Sequence, residues 1–153
     1  MPKCLKFSIT TTISLITEQY SMKEIKYKNR TAAILHSQSE WKEGLDFLTP
    51  DVTFIQTGTW WYPSGKILKA HRHIINERTA ERTQETVIVM NGSMRIDFYD
   101  DSNNIFQQEI VKTGDICIIL TIGHGYQILE NNTRIIEVKN GPFTSVEKDK
   151  ELI

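Results

Sequence analysis

Residues 85–99 read ETVIVMNGSMRIDFY. Two runs of β-branched and aromatic residues, Glu85 to Met90 and Ser93 to Tyr99, flank Asn91-Gly92. Asn-Gly tolerates positive φ at both positions, so the stretch predicts a β-hairpin. A side-chain period of two puts Glu85, Val87 and Val89 on one face, predicted to point inward, and Thr86, Ile88 and Met90 on the other. Both faces are largely apolar, so the outer one is expected to be covered as well, and a homodimer formed through a sheet face accounts for that. A carboxylate thus opens a strand that is otherwise buried.

Working toward the N-terminus, Ile67 to Ile75 is predicted to form a strand carrying His71 and His73. A spacing of two places both imidazoles on one face, which makes a pair of metal ligands; a carboxylate on the next strand would add a third. Pro63-Ser64-Gly65 predicts a turn before that strand, and Val52 to Tyr62 a strand before the turn. Glu40 to Leu48, with Ser39 as its cap, predicts a short helix. Toward the C-terminus, turns at Asp100–Asn104, Thr113-Gly114-Asp115 and Asn131-Asn132 separate Ile105–Val111, Ile116–Thr121 and Thr133–Lys139. Gly123-His124-Gly125 is read as an interruption before Tyr126–Leu129. About eight short strands at steady spacing predict an all-β fold, an antiparallel barrel or sandwich whose mouth holds a small ligand.

The 153 residues fit one domain, expected over 22–153, with 1–21 as a loosely attached extension. Lys3 and Lys6 precede a weakly apolar run, but Thr and Ser interrupt it and no small-residue cleavage site follows. The net charge of -1 predicts no nucleic-acid binding, and no apolar run reaches the length of a membrane span. Two cysteines, Cys4 and Cys117, make no disulfide framework, so a cytoplasmic location is the expectation.

Gly65, the five residues 66–70, His71 and His73, then Glu85, the six residues 86–91 and Gly92, resemble the first motif of the cupin superfamily. Eleven residues, 74–84, stand where that motif has three or four. Gly114, residues 115–119 and His124 resemble the second motif, with Leu120 in place of its proline and Ile128 in place of its asparagine. The resemblance covers roughly residues 50–142. It implies a double-stranded β-helix, the cupin jelly-roll barrel, with His71, His73, Glu85 and His124 around a divalent metal. Three imidazoles and one carboxylate suit a transition metal such as Zn, Fe, Mn, Ni or Cu better than Ca or Mg.

Other residues carry two readings each. Arg78 and Arg82 lie four apart in a polar loop; they are either solvated or a lid gripping a carboxylate or phosphate. Trp60 and Tyr62 share a face with Gln56, as core, interface or a wall for a sugar or ring-bearing ligand. Glu137 is a general base if inward and a surface charge if outward. Tyr62 is a second catalytic candidate.

Three functions remain open on the sequence. One is a metalloprotein acting on a small polar or anionic substrate by isomerisation, epimerisation, dioxygenation or decarboxylation. A second is a metal-independent sugar-nucleotide keto-isomerase or epimerase, with histidine as acid and base. A third is a non-enzymatic small-ligand-binding module. No helix-turn-helix is apparent.

Overall fold

The computed structural model describes residues 22–153, and the expected N-terminal extension, with Cys4, lies outside them. Ten strands run in the order β1 (Lys23–Tyr27), β2 (Arg30–His36), β3 (Gly44–Phe47), β4 (Gly58–Trp61), β5 (Glu85–Asn91), β6 (Ser93–Tyr99), β7 (Ile105–Lys112), β8 (Ile116–Ile119), β9 (Gly123–Ile128) and β10 (Arg134–Lys139). One short helix, α1 (Val146–Asp149), follows. The strands form a five-stranded sheet β1-β2-β8-β5-β10, a three-stranded sheet β7-β6-β9 and a two-stranded sheet β3-β4. Every pairing is antiparallel. The fold is all-β, and the described strands do not close into a barrel.

Between the two larger sheets lies the main core. Val87, Val89, Cys117 and Ile119 from one sheet meet Met94, Ile96, Phe98 and Val111 from the other. Alternation within β5 and β6 supplies these residues. Fully burying such a side chain stabilises the fold by roughly 1.5–3 kcal/mol. The reverse face of the five-stranded sheet carries a second cluster of Ile34, Ile116 and Ile118, closed over by Leu48 and Ile55 from the chain's own β3–β4 region, with Ile88 at its margin. The outer apolar face of β5 is therefore covered in part without a second subunit.

Several local expectations are corrected. Asn91-Gly92 does not turn a hairpin, because β5 pairs with β8 and β10 whereas β6 pairs with β7 and β9. The turn is a corner at which the chain leaves one sheet for the other. Gly92 is needed there twice over: its φ is 83°, and a Cβ would stand 2.2 Å from Thr133 Oγ1 and 2.9 Å from Thr133 Cα. The two-residue hairpin occurs instead between β1 and β2, where Lys28 and Asn29 adopt φ of 47° and 62°. Such a pair of positive angles matches the twist of the flanking strands.

The helix expected over Glu40–Leu48 is absent. A 3-10 turn at Gln38–Glu40, capped by Ser37, precedes β3. In that capping box the Glu40 side chain accepts from Ser37 N at 2.9 Å. Gly44, at φ 102°, then starts a strand rather than sitting inside a helix. The strand expected over Val52–Tyr62 contracts to Gly58–Trp61. The strand expected over Ile67–Ile75 does not form. Its apolar residues come as adjacent doublets, Ile67-Leu68 and Ile74-Ile75, which point to opposite sides and give no face to bury. Finally, Gly123-His124-Gly125 does not interrupt anything, since β9 runs unbroken through it.

Candidate active site

β5 enters the five-stranded sheet at Glu85, whose Cα partners are Ile119 on β8 and Lys139 on β10. Glu85 lies on the same face as Val87 and Val89 and is buried. Opposite it, β9 is registered so that His124 pairs with Phe98 and Tyr126 with Ile96, both core residues. Period-two alternation therefore turns His124 and Tyr126 into the space between the sheets. Gly123 and Gly125 fall on the other face, where the Tyr99 ring lies against Gly125 and Ile153 against Gly123. A Cβ at Gly123 would press to 3.2 Å from Ile153 Cδ1, whereas one at Gly125 would meet the Tyr99 ring at an ordinary 3.5 Å.

The three side chains converge on one oxygen. His124 Nε2 contacts Glu85 Oε1, and Tyr126 Oη donates to the same atom at 2.8 Å. His124 Nδ1 donates to the carbonyl of Ile122 at 3.1 Å. A carbonyl can only accept, so Nδ1 carries a proton, and a proton on Nε2 as well makes the ring an imidazolium. Burial opposes charge on Glu85, but the bonds from His124 and Tyr126 outweigh it and hold the carboxyl below its ordinary range. Burial likewise opposes charge on His124, and the Glu85 and Ile122 bonds outweigh it, so the imidazole sits above its ordinary value. Burial and the Glu85 charge push the Tyr126 phenol up, which keeps it a donor. Beside this trio, Cys117 is fully covered and its thiol is pushed up by burial, so it is chemically inert.

β10 contributes the neighbouring row. Glu137 pairs with Val87 and Ile135 with Val89, and Ile135 packs on the main core, so Glu137 shares the inner face of Glu85. Its side chain is half-exposed at the sheet edge, and its charge reaches Tyr126. Lys139 lies 3.4 Å from Asp149 and 3.7 Å from Glu137. Arg82 donates to the carbonyl of Thr121 at 3.4 Å, three residues before His124, and the charge of Lys150 bears on both Glu85 and His124. Arg82 and Lys150 thus stand at this end of the sandwich beside the paired charges of Lys139, Glu137 and Asp149.

The remaining residues singled out in the sequence lie elsewhere. His71 and His73 sit in an exposed irregular segment, with ring centroids 5.2 Å apart at 83°. The structure thus brings Glu85 to His124 and His71 to His73, and among the described residues no three His, Cys, Asp or Glu side chains form a group able to hold a metal ion. Arg78 is exposed in the same segment. Gln56 braces its own loop, donating to the carbonyls of Pro50 and Thr53. Trp60 is exposed opposite Leu45 and stands edge-on to Tyr62 at 6.4 Å. Tyr126 was not singled out from the sequence, although its place two residues after His124 was the available signal.

No family model, curated protein or solved structure matches the chain. Among the described residues, no helix is long and apolar enough to cross a membrane.

Proposed function

We propose that this protein is a small-molecule acid–base catalyst of the double-stranded β-helix type, acting on an anionic carbonyl compound between β9 and β10. A nucleotide-linked keto sugar, isomerised or epimerised without a metal, is the substrate class this reading favours. The observation that carries it is the sharing of buried Glu85 Oε1 by His124 and Tyr126. A substrate oxygen that took the place of Glu85 Oε1 would receive the Nε2 proton of His124 and the hydrogen bond of Tyr126, both of which Glu85 otherwise accepts. The second carboxylate, Glu137, lies on the same inner face and is the group we assign to take a proton from carbon. Proton transfer from carbon to Glu137 and from His124 to the carbonyl oxygen gives an enediol. Glu137 then delivers its proton to the former carbonyl carbon while His124 takes one from the other enediol oxygen, which gives the isomer. A solvent proton added instead to the original carbon from its opposite face, with the oxygen's proton returned to His124 and that of Glu137 released to solvent, gives the epimer. Arg82 and Lys150, which among the described residues pair with no carboxylate, would attract the anionic part of the substrate. Four links that pass between the two larger sheets, β5–β6, β7–β8, β8–β9 and β9–β10, support the jelly-roll reading of the topology.

The test is solvent exchange. Chelated protein is incubated with a nucleotide-linked 4-keto sugar in deuterated water and followed by proton NMR. Loss of the signal from the carbon next to the carbonyl is expected, and His124→Gln should abolish it. Exchange no faster than in buffer would remove this reading.

A second reading keeps the divalent metal at His71, His73, Glu85 and His124. Two adjoining pairs of these four residues support it, and it requires segment 66–84 to carry one pair to the other. Metal retained by purified protein but lost from His73→Ala would favour it; equal metal content in the two proteins would end it.

A further inference from the structure

At the other end of the β2–β8–β5 strip lies a separate cavity of about 370 Å³. Glu85 is level with Ile119 on β8, whereas His36 is level with Ile116. Three residues along a strand separate the two levels by roughly 10 Å. The cavity is bounded by Leu35, Val111 and Ile116, with His36 and Glu40 in its wall. Lys23 and Glu109, also among its lining residues, are bonded to each other at 2.7 Å and so neutralise one another.

The polar groups in this wall are unsatisfied. His36 is only 3% exposed, and among the described residues neither of its ring nitrogens has a hydrogen-bond partner. Glu40 Oε2 is used by the capping box, yet Glu40 Oε1 is buried with no donor. The gap from His36 Nδ1 to Glu40 Oε2 is 3.4 Å and makes no hydrogen bond. Burial holds the His36 imidazole below its ordinary value, so the ring is neutral and offers one donor and one acceptor. Buried polar atoms without partners cost free energy, and a mostly apolar pocket with a few converging polar groups is the usual form of a small-molecule site. Among the described residues, no lysine or arginine pairs with Glu40.

We propose that this cavity binds a small organic amine, its ammonium donating to Glu40 Oε1 and to the acceptor nitrogen of His36, its apolar body lying against Leu35, Val111 and Ile116. This site is independent of the Glu85–His124 cluster. The test follows amide resonances of labelled protein on addition of 2-phenylethylamine, 2-phenylethanol or phenylacetate. The amine is expected to give saturating shifts at Leu35, His36 and Val111, to bind about tenfold more tightly than the alcohol, and to exceed the acid further. Glu40→Gln keeps the capping box, because Gln can serve at that position, and should reduce amine affinity to that of the alcohol. Equal binding of amine and alcohol to the unaltered protein overturns the proposal, as does the absence of saturating shifts at these residues. Undiminished amine binding in folded Glu40→Gln overturns it too.

Discussion

His124 on β9 and Glu85 on β5 belong to different sheets, yet imidazole and carboxylate meet in the space between them. The contact ties the sheets together where no backbone hydrogen bonds do. Removing His124 leaves the buried Glu85 without its charged partner and with only the Tyr126 bond. His124→Gln is expected to cost about 3 kcal/mol, near the lower end for a broken buried pair because His124 is partly exposed. Urea unfolding at pH 6 measures it.

The same contact sets a pH window. Glu85 is held below its ordinary value of 4.5, so its contribution is present above that pH and fades as pH falls through the lowered folded-state value. His124 is held above its ordinary value of 6.5, so its contribution is complete below that pH and fades as pH rises through the raised value. His36 acts in the opposite sense: held low, it favours unfolding as pH drops below 6.5. Comparison with Glu85→Gln isolates the pair. The stability gap between wild type and Glu85→Gln should be widest between about pH 5 and 6.5 and narrow on either side. A gap that does not change with pH would contradict the ion pair.

Gly92 and Gly65 make a controlled comparison at nearly equal positive φ, 83° and 84°. A Cβ at Gly65 meets nothing within 4 Å, whereas one at Gly92 collides with Thr133. Gly65→Ala should cost about 1–2 kcal/mol, from backbone strain alone. Gly92→Ala should cost roughly 2–4 kcal/mol, because overpacking adds to that strain. Thermal melts of the two variants decide.

Tyr126→Phe removes one of two donors to Glu85 Oε1 and leaves the ring in place. A stability loss of about 1–2 kcal/mol is expected, with the His124–Glu85 contact retained. If Tyr126 also holds the substrate, the proton-exchange rate should fall more steeply than stability does.

The face of β5 was legible because Glu85, Val87 and Val89 alternate with period two, and that period is local. Glu85 and His124 were both singled out through the resemblance to the cupin motifs, and the structure brings these two side chains together. Tyr126 was hidden by reading Gly123 and Gly125 as breaks, whereas both lie within an unbroken strand. The corner at Asn91-Gly92 was not legible, because a turn signal says that the chain bends and not which sheet it joins. Thr133, some forty residues later, fixes that outcome by packing on Gly92. The segment holding His71 and His73 looked like a strand by composition, but composition does not supply a buried face or a partner. The buried polar pair His36 and Glu40 left no mark in the sequence beyond one histidine at the end of an apolar strand.

Whether His124 stands as an imidazolium held by Glu85 is read from nitrogen-15 NMR of the histidine ring across a pH titration. The expected result is a midpoint above 6.5, with both His124 nitrogens protonated below it, and a fall in that midpoint in Glu85→Gln. A midpoint at or below 6.5, or one indifferent to Glu85→Gln, would contradict the ion pair.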